Sequence, residues 1–115
     1  MKFYLAEIKD EERFYEGDDS AEMLDMQDIK GVTALSPVHY SFYIQSVDER
    51  IIVRGRITVE IQFECARCCK LFSTTIHVSS FLRDYVVLDG MVELDIGEDM
   101  REDVLLEFPH YPHCD

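Results

Sequence analysis

No apolar run in this chain approaches the length that crosses a membrane, and the first residues, MKFYLAEIKDEE, set Glu7, Asp10 and Glu11 where a secretory signal needs an unbroken apolar core. A soluble, cytoplasmic protein with no membrane partner is expected. The marks of common enzyme classes are missing too: no P-loop, no dinucleotide-binding glycine pattern, no G-x-S-x-G and no H-E-x-x-H. Carboxylates abound, but paired acids in a charged tail make no acid–base machinery without a pocket. Neither an enzyme nor a small-molecule substrate is therefore expected. Repeats, low-complexity tracts and interdomain linkers are absent, so residues 1–115 read as a single domain, long enough to bury about two-thirds of its unfolded surface in a core of its own. Cysteines number only four. In a reducing compartment these are metal ligands, reactive thiols or small core residues before they are disulfide partners.

What is present is organised around Arg54 to Phe72, RGRITVEIQFECARCCKLF. Apolar residues hold every second position from Ile51 through Val53, Gly55, Ile57, Val59 and Ile61 to Phe63, and Arg54, Arg56, Thr58, Glu60, Gln62 and Glu64 take the other parity. That is the period of a half-buried strand. The alternation breaks at Cys65-Ala66-Arg67-Cys68-Cys69 and resumes with Phe72, Thr74, Ile76 and Val78, which places the cysteines at the tip of an antiparallel hairpin. Gly55 within the first strand marks a bulge or a close backbone approach.

Along the rest of the chain, residues 2–8 suit a short first strand. Residues 1–30 form an acidic N-terminal segment in which Ser20–Met26 could be helical, capped by Asp18, Asp19 or Ser20, or a solvated loop. Breaks at Lys30-Gly31 and Ser36-Pro37 precede a strand in which Val38, Tyr40, Phe42 and Ile44 alternate with polar residues, and Val47–Arg50 turns it back into the long strand. Leu71–Phe81 is the next strand, which Asp84–Val87 prolong or end; a turn at Asp89-Gly90 and a short strand at Met91–Leu94 follow. Antiparallel hairpins with a C-x-x-C tip thus occupy residues 38–83. Ile96, Met100, Val104 and Phe108 recur every fourth residue, with Glu98 and Asp99 in the first turn, which favours a helix over 96–108 against a strand at Val104–Phe108. Pro109 ends either, leaving residues 109–115 as an irregular tail. The fold class expected is α+β: an antiparallel β-meander with a long central hairpin and a C-terminal helix.

Net charge is −13, from 24 acidic and 11 basic residues, unevenly spread. Residues 84–115 set Arg101 against ten acids, whereas residues 50–70 hold Arg50, Arg54, Arg56, Arg67 and Lys70 against only Glu60 and Glu64. Arg54, Arg56, Arg67 and Lys70 are either ordinary solvated charges or a patch that contacts RNA or another partner. Distant acids are screened beyond about 8–10 Å at physiological salt, so a local patch could hold RNA weakly and salt-sensitively.

Cys65 and Cys68 have the spacing of two zinc ligands, and a structural site needs four. The further candidates are Cys114, His113 and His110; adjacent His113 and Cys114 would strain the backbone in chelating one ion, which makes His110 the better fourth ligand. Against zinc stand two other readings, reduced thiols that pack the turn and a redox dithiol. The last is disfavoured because thioredoxin-type pairs open a helix, whereas Lys70-Leu71-Phe72 continues as strand. Cys69 reads as a small neighbour, and His39 and His77 as outward strand residues.

The run Val53-x-Gly55-x-x-x-Val59-x-Ile61-x-Phe63-Glu64-Cys65-x-Arg67-Cys68 with Phe72, then Glu102-Asp103-Val104-Leu105-Leu106-Glu107-Phe108-Pro109 and Tyr111-Pro112-His113-Cys114, resembles the YceD family of bacteria and plastids, the large ribosomal RNA subunit accumulation proteins. The likeness covers residues 38–114. It implies a non-enzymatic role in 23S rRNA accumulation and assembly of the large subunit, through ribosomal RNA or a basic large-subunit ribosomal protein, the rival being a zinc-stabilised interaction module with no ribosomal role. The motif carries over onto Cys65, Arg67, Cys68 and Cys114. Many relatives continue past this point with further cysteines, a departure that bears on a complete zinc set. The acidic ends outweigh the hairpin's cations, which tilts the reading toward a protein partner.

Overall fold

The computed structural model describes residues 2–5, 12–26, 29–88 and 90–109. Seven strands, β1 (Lys2–Tyr4), β2 (Arg13–Asp19), β3 (Val32–Ala34), β4 (Val38–Val47), β5 (Arg50–Glu64), β6 (Leu71–Val86) and β7 (Glu93–Asp95), precede helix α1 (Gly97–Leu106), and a short 3-10 helix spans Ala21–Leu24. All strand pairings among the described residues are antiparallel. The meander, the long central hairpin and the C-terminal helix are those the alternation and the four-residue spacing predict.

The hairpin of β5 and β6 is the spine. At about 3.3 Å per residue, the 15 residues of β5 account for most of the molecule's 53 Å length. β4, carrying β2 on its outer edge, pairs with the first half of β5, and β3 continues the same edge toward the tip; β6 covers the other edge along its whole length. Where β3 gives way to β4, the Leu35 N–H donates to the Glu60 carbonyl at 2.8 Å and the Ser36 hydroxyl accepts from the Glu60 N–H at 3.0 Å, closing the gap that Pro37 opens in the ladder.

Strict alternation buries one face of this sheet. Ile51, Val53, Ile57, Val59, Ile61 and Phe63 of β5 join Val38, Phe42 and Ile44 of β4 and Ile76, Val78 and Phe81 of β6 in one core. Over it lie the small β1–β7 sheet, Leu24 of the 3-10 helix, and Ile96, Met100 and Val104 of the helical segment. In β6 the buried parity changes between Val78 and Phe81, because Ser79 and Ser80 together oppose Arg56 in a bulge. Gly55 sits at the same place. A Cβ there would meet the Ser41 carbonyl oxygen at 1.9 Å, so the close approach of β4 requires glycine.

Three elements depart from the expected string. Within the acidic N-terminal segment, Arg13–Asp19 is a seven-residue edge strand, not loop, and Ser20–Met26 contains only one 3-10 turn, with the Ser20 hydroxyl capping the Glu22 N–H. β3 fills the stretch between the two expected breaks. The helix starts at Gly97, whose N–H is held by the Asp95 carboxylate, and ends at Leu106, which removes the strand alternative. β1 ends at Tyr4; residues 6–8 of the expected first strand, and Asp89 of the expected turn, lie outside the described residues, while Gly90 has the positive φ that a turn requires.

Candidate functional site

At the hairpin's tip the pairing of β5 and β6 is handed to a cysteine turn. The Cys65 N–H donates to the Lys70 carbonyl at 2.8 Å, and the Cys69 N–H donates to the Cys65 carbonyl at 3.0 Å. Cys69 closes the loop with φ +59°, in the left-handed region that glycine enters without strain. Inside the turn the Arg67 N–H points at Cys65 Sγ, 3.4 Å away. Cys65 is buried after Phe63 in the same alternation, whereas Cys68 is exposed. The chain therefore folds C-x-x-C into a hydrogen-bonded turn that sets one thiol in the core and the other at the surface. His110, His113 and Cys114, the other candidate ligands, lie outside the described residues, and no group of three or more potential ligands gathers among the described residues.

The four cations do not form one patch. Arg54 and Arg56 are neighbours on the uncovered face of the sheet, while Arg67 and Lys70 belong to the tip, about 25–30 Å further along the strand at its rise per residue. Arg54 is also engaged: Nη2 donates to Glu12 Oε1 and Oε2 at 2.8 Å, and the guanidinium lies 4.8 Å from the Tyr43 ring centre. Tyr43 in turn packs on Phe14, ring centres 5.0 Å apart, so Phe14, Tyr43, Arg54 and Leu82 form one row across β2, β4, β5 and β6. The next rows carry acids. Glu16 accepts from the Ser41 hydroxyl, Asp18 bonds His39 Nδ1 at 2.9 Å, and Asp84 holds Arg50 at 2.9 Å. His39 thus faces outward as expected, and so does exposed His77.

A second feature joins the two acidic ends of the chain. A groove between the 3-10 helix and α1 is lined by Met23, Asp25, Glu98, Glu102, Leu105 and Leu106, with Arg101 across it. Arg101 is spent on structure, since its Nε donates to the Leu24 carbonyl at 2.6 Å. What remains toward solvent is acid over an apolar floor.

Behind α1, Tyr85 donates its hydroxyl to Asp99, and Arg83 donates to Asp103. Burial, then the Asp99 hydrogen bond and charge, pushes the Tyr85 phenol well above the ordinary tyrosine value, with Arg83 pulling the other way. For Arg83 itself burial acts downward, but the Asp103 and Asp99 carboxylates outweigh it and raise the guanidinium further.

This arrangement defines an antiparallel sheet protein with a cysteine knuckle at one extremity, one covered face and one open face. Comparison with protein-family models, curated proteins and solved structures gave no match. Among the described residues no helix is long and apolar enough to cross a membrane.

Proposed function

We propose that this protein is a non-enzymatic factor for large-subunit ribosomal RNA accumulation and large-subunit assembly, and that it acts by holding a basic ribosomal protein. The observation that carries the proposal is the cysteine-tipped hairpin: the first of the motifs on which the likeness to the large-subunit accumulation family rests, Val53 through the cysteine turn to Phe72, folds as one continuous element. The choice of protein over RNA follows from charge. Arg54 is neutralised by Glu12, the remaining cations are divided between two places, and acids dominate the groove beside the 3-10 helix and the sheet's open rows. A polyanion gains little from such a surface, whereas a basic protein is steered to it.

Sedimentation of the tagged protein from gently lysed cells, at low and moderate salt, tests the proposal. Co-migration with large-subunit precursors that fades with salt is expected. A protein that stays with soluble material in both conditions overturns stable particle binding. Exchange of Arg67 and Lys70 for Glu should leave that co-migration in place; its abolition would move the contact to RNA at the tip.

The knuckle favours a second reading, a zinc-stabilised interaction module. Cys65 and Cys68 would hold the ion, which would fix the tip's conformation and supply no reaction step. Metal content by mass spectrometry, with and without Cys65→Ser, decides it: stoichiometric zinc lost in the variant supports the reading, and metal-free protein with an ordered tip ends it.

A further inference from the structure

The two outer edges of the large sheet are built differently. β2 carries Arg13, Glu16, Asp18 and Asp19, the charges that keep an edge from pairing with another chain. β6 has no such protection over Leu71–Leu82, LFSTTIHVSSFL, which contains no Lys, Arg, Asp, Glu, Pro or Gly. Among the described residues β6 pairs with β5 alone.

The ladder shows which groups of β6 remain open. The Glu64 N–H goes to Gly31 and the Glu60 carbonyl receives Leu35, so even residues of β5 turn their backbone toward β3 and β4. The Cys65 N–H goes to Lys70, so odd residues turn toward β6. Their partners Phe72, Thr74, Ile76 and Val78 are thereby satisfied, and the backbone N–H and C=O groups of Leu71, Ser73, Thr75 and His77 face outward from the sheet. The flanking side chains define what would lie alongside. On the covered face Phe72, Ile76 and Val78 continue the core to the edge. On the open face Thr75 is opposite Glu60 and Leu71 opposite Glu64, and neither carboxylate has an ion-pair partner among the described residues. Strands lie about 4.8 Å apart, so a lysine on an added strand reaches over Thr75 to Glu60.

We infer that Leu71–Val78 is a docking edge for an extended segment of a partner protein in which apolar residues alternate with lysine or arginine, added as a further strand. Backbone hydrogen bonds would supply the affinity, and the alternation the selectivity. A second copy of this chain is disfavoured as occupant by its own charge of −13. That the segment is an arm of a basic ribosomal protein rests on the function proposed above; the edge itself does not.

The probe is a nine-residue peptide alternating valine and lysine, in three forms: unmodified, N-methylated on alternate amides, and with glutamate in place of lysine. Amide exchange of the full chain is followed by NMR. The unmodified peptide should slow exchange at Leu71, Ser73, Thr75 and His77 at least tenfold, and the other two should not. Thr75→Pro removes one outward N–H without touching the β5 ladder, and should keep the fold while weakening peptide binding at least tenfold. Equal binding of the N-methylated peptide reduces the interaction to charge attraction and overturns the inference, and it does so even if Thr75→Pro fails to fold. A two-chain species in sedimentation equilibrium that Thr75→Pro abolishes assigns the edge to a second copy and also overturns it. Peptide binding by a protein that does not sediment with precursors keeps the edge and removes the ribosomal reading; co-migration unchanged in a folded Thr75→Pro keeps the ribosomal reading and removes the ribosomal protein as the edge's occupant.

Discussion

Arg83 of β6 donates through Nη2 to Asp103 Oδ1 of α1 at 2.5 Å, and its Nε lies 3.9 Å from Asp99 Oδ1 one helical turn earlier. One guanidinium thus neutralises two carboxylates that share a helix face and joins the C-terminal helix to the sheet. Arg83→Met leaves Asp99 and Asp103 part-buried and mutually repelling. A loss of about 2–3 kcal/mol is expected, read as a fall in Tm of roughly 10 °C in thermal unfolding. Asp103→Asn, which keeps one acid on Arg83, should cost less than half as much. A change under about 2 °C for Arg83→Met would show that the Arg83 ion pairs do not anchor α1.

Gly55→Ala is expected to be the most damaging single-methyl change in the chain. The new Cβ would stand 1.9 Å from the Ser41 carbonyl oxygen and 2.9 Å from Phe42 Cα, both backbone atoms of β4. Strand separation rather than a rotamer change must relieve it, at a cost of about 3 kcal/mol or more. Gly17→Ala is the control, because its nearest neighbour is the end of the Tyr40 side chain. Chemical denaturation of the two variants should rank them in that order.

The Tyr85 phenol should give the protein an alkaline limit. Its folded pKa is raised, first by burial and then by Asp99, so the unfolded chain loses the proton first as pH climbs. The stability contributed by the neutral phenol is whole below about pH 10 and is lost as pH rises from there through the raised folded value. Tyr40, raised by burial and then by Asp19 and Asp18, adds to the same trend. Tyr85→Phe should cost about 1 kcal/mol at neutral pH yet flatten the decline between pH 10 and 11. An unchanged alkaline slope would remove Tyr85 from this role.

Cys69→Gly should stabilise the tip. A non-glycine residue at φ +59° carries strain that glycine does not, and the gain of about 0.5–1 kcal/mol is set against glycine's larger entropy in the unfolded chain. Hydrogen exchange at the Cys69 N–H, bonded to the Cys65 carbonyl, should slow in step.

The parts of this fold that the sequence announced are those where one face is buried along many residues. β4 and β5 each carry at least three consecutive same-parity apolar positions, β6 sets Phe72, Ile76 and Val78 on one parity, and Met100 and Val104 mark the helix at its own period. β2 escaped because an edge strand meets the core only through Tyr15, while Glu16, Asp18 and Asp19 read as solvated loop. The cysteine turn was legible from spacing, but the role of Cys69 was not, since the left-handed closing position is usually signalled by glycine. The cation patch dissolved for a different reason. Nearness in sequence shows neither the distance along a strand nor a neutralising partner, and Glu12 reaches Arg54 from 42 residues away.

β5 has a consequence for how the molecule opens. Its odd amides face β6 and its even amides face β3, β4 and the residues that flank them, so no single separation of strands releases both sets. Peeling β6 away exposes every second amide, and losing β3 and β4 exposes the others. Adjacent residues of one strand therefore report on two different motions of the molecule, interleaved one by one from Arg50 to Glu64, and only global unfolding makes their clocks agree.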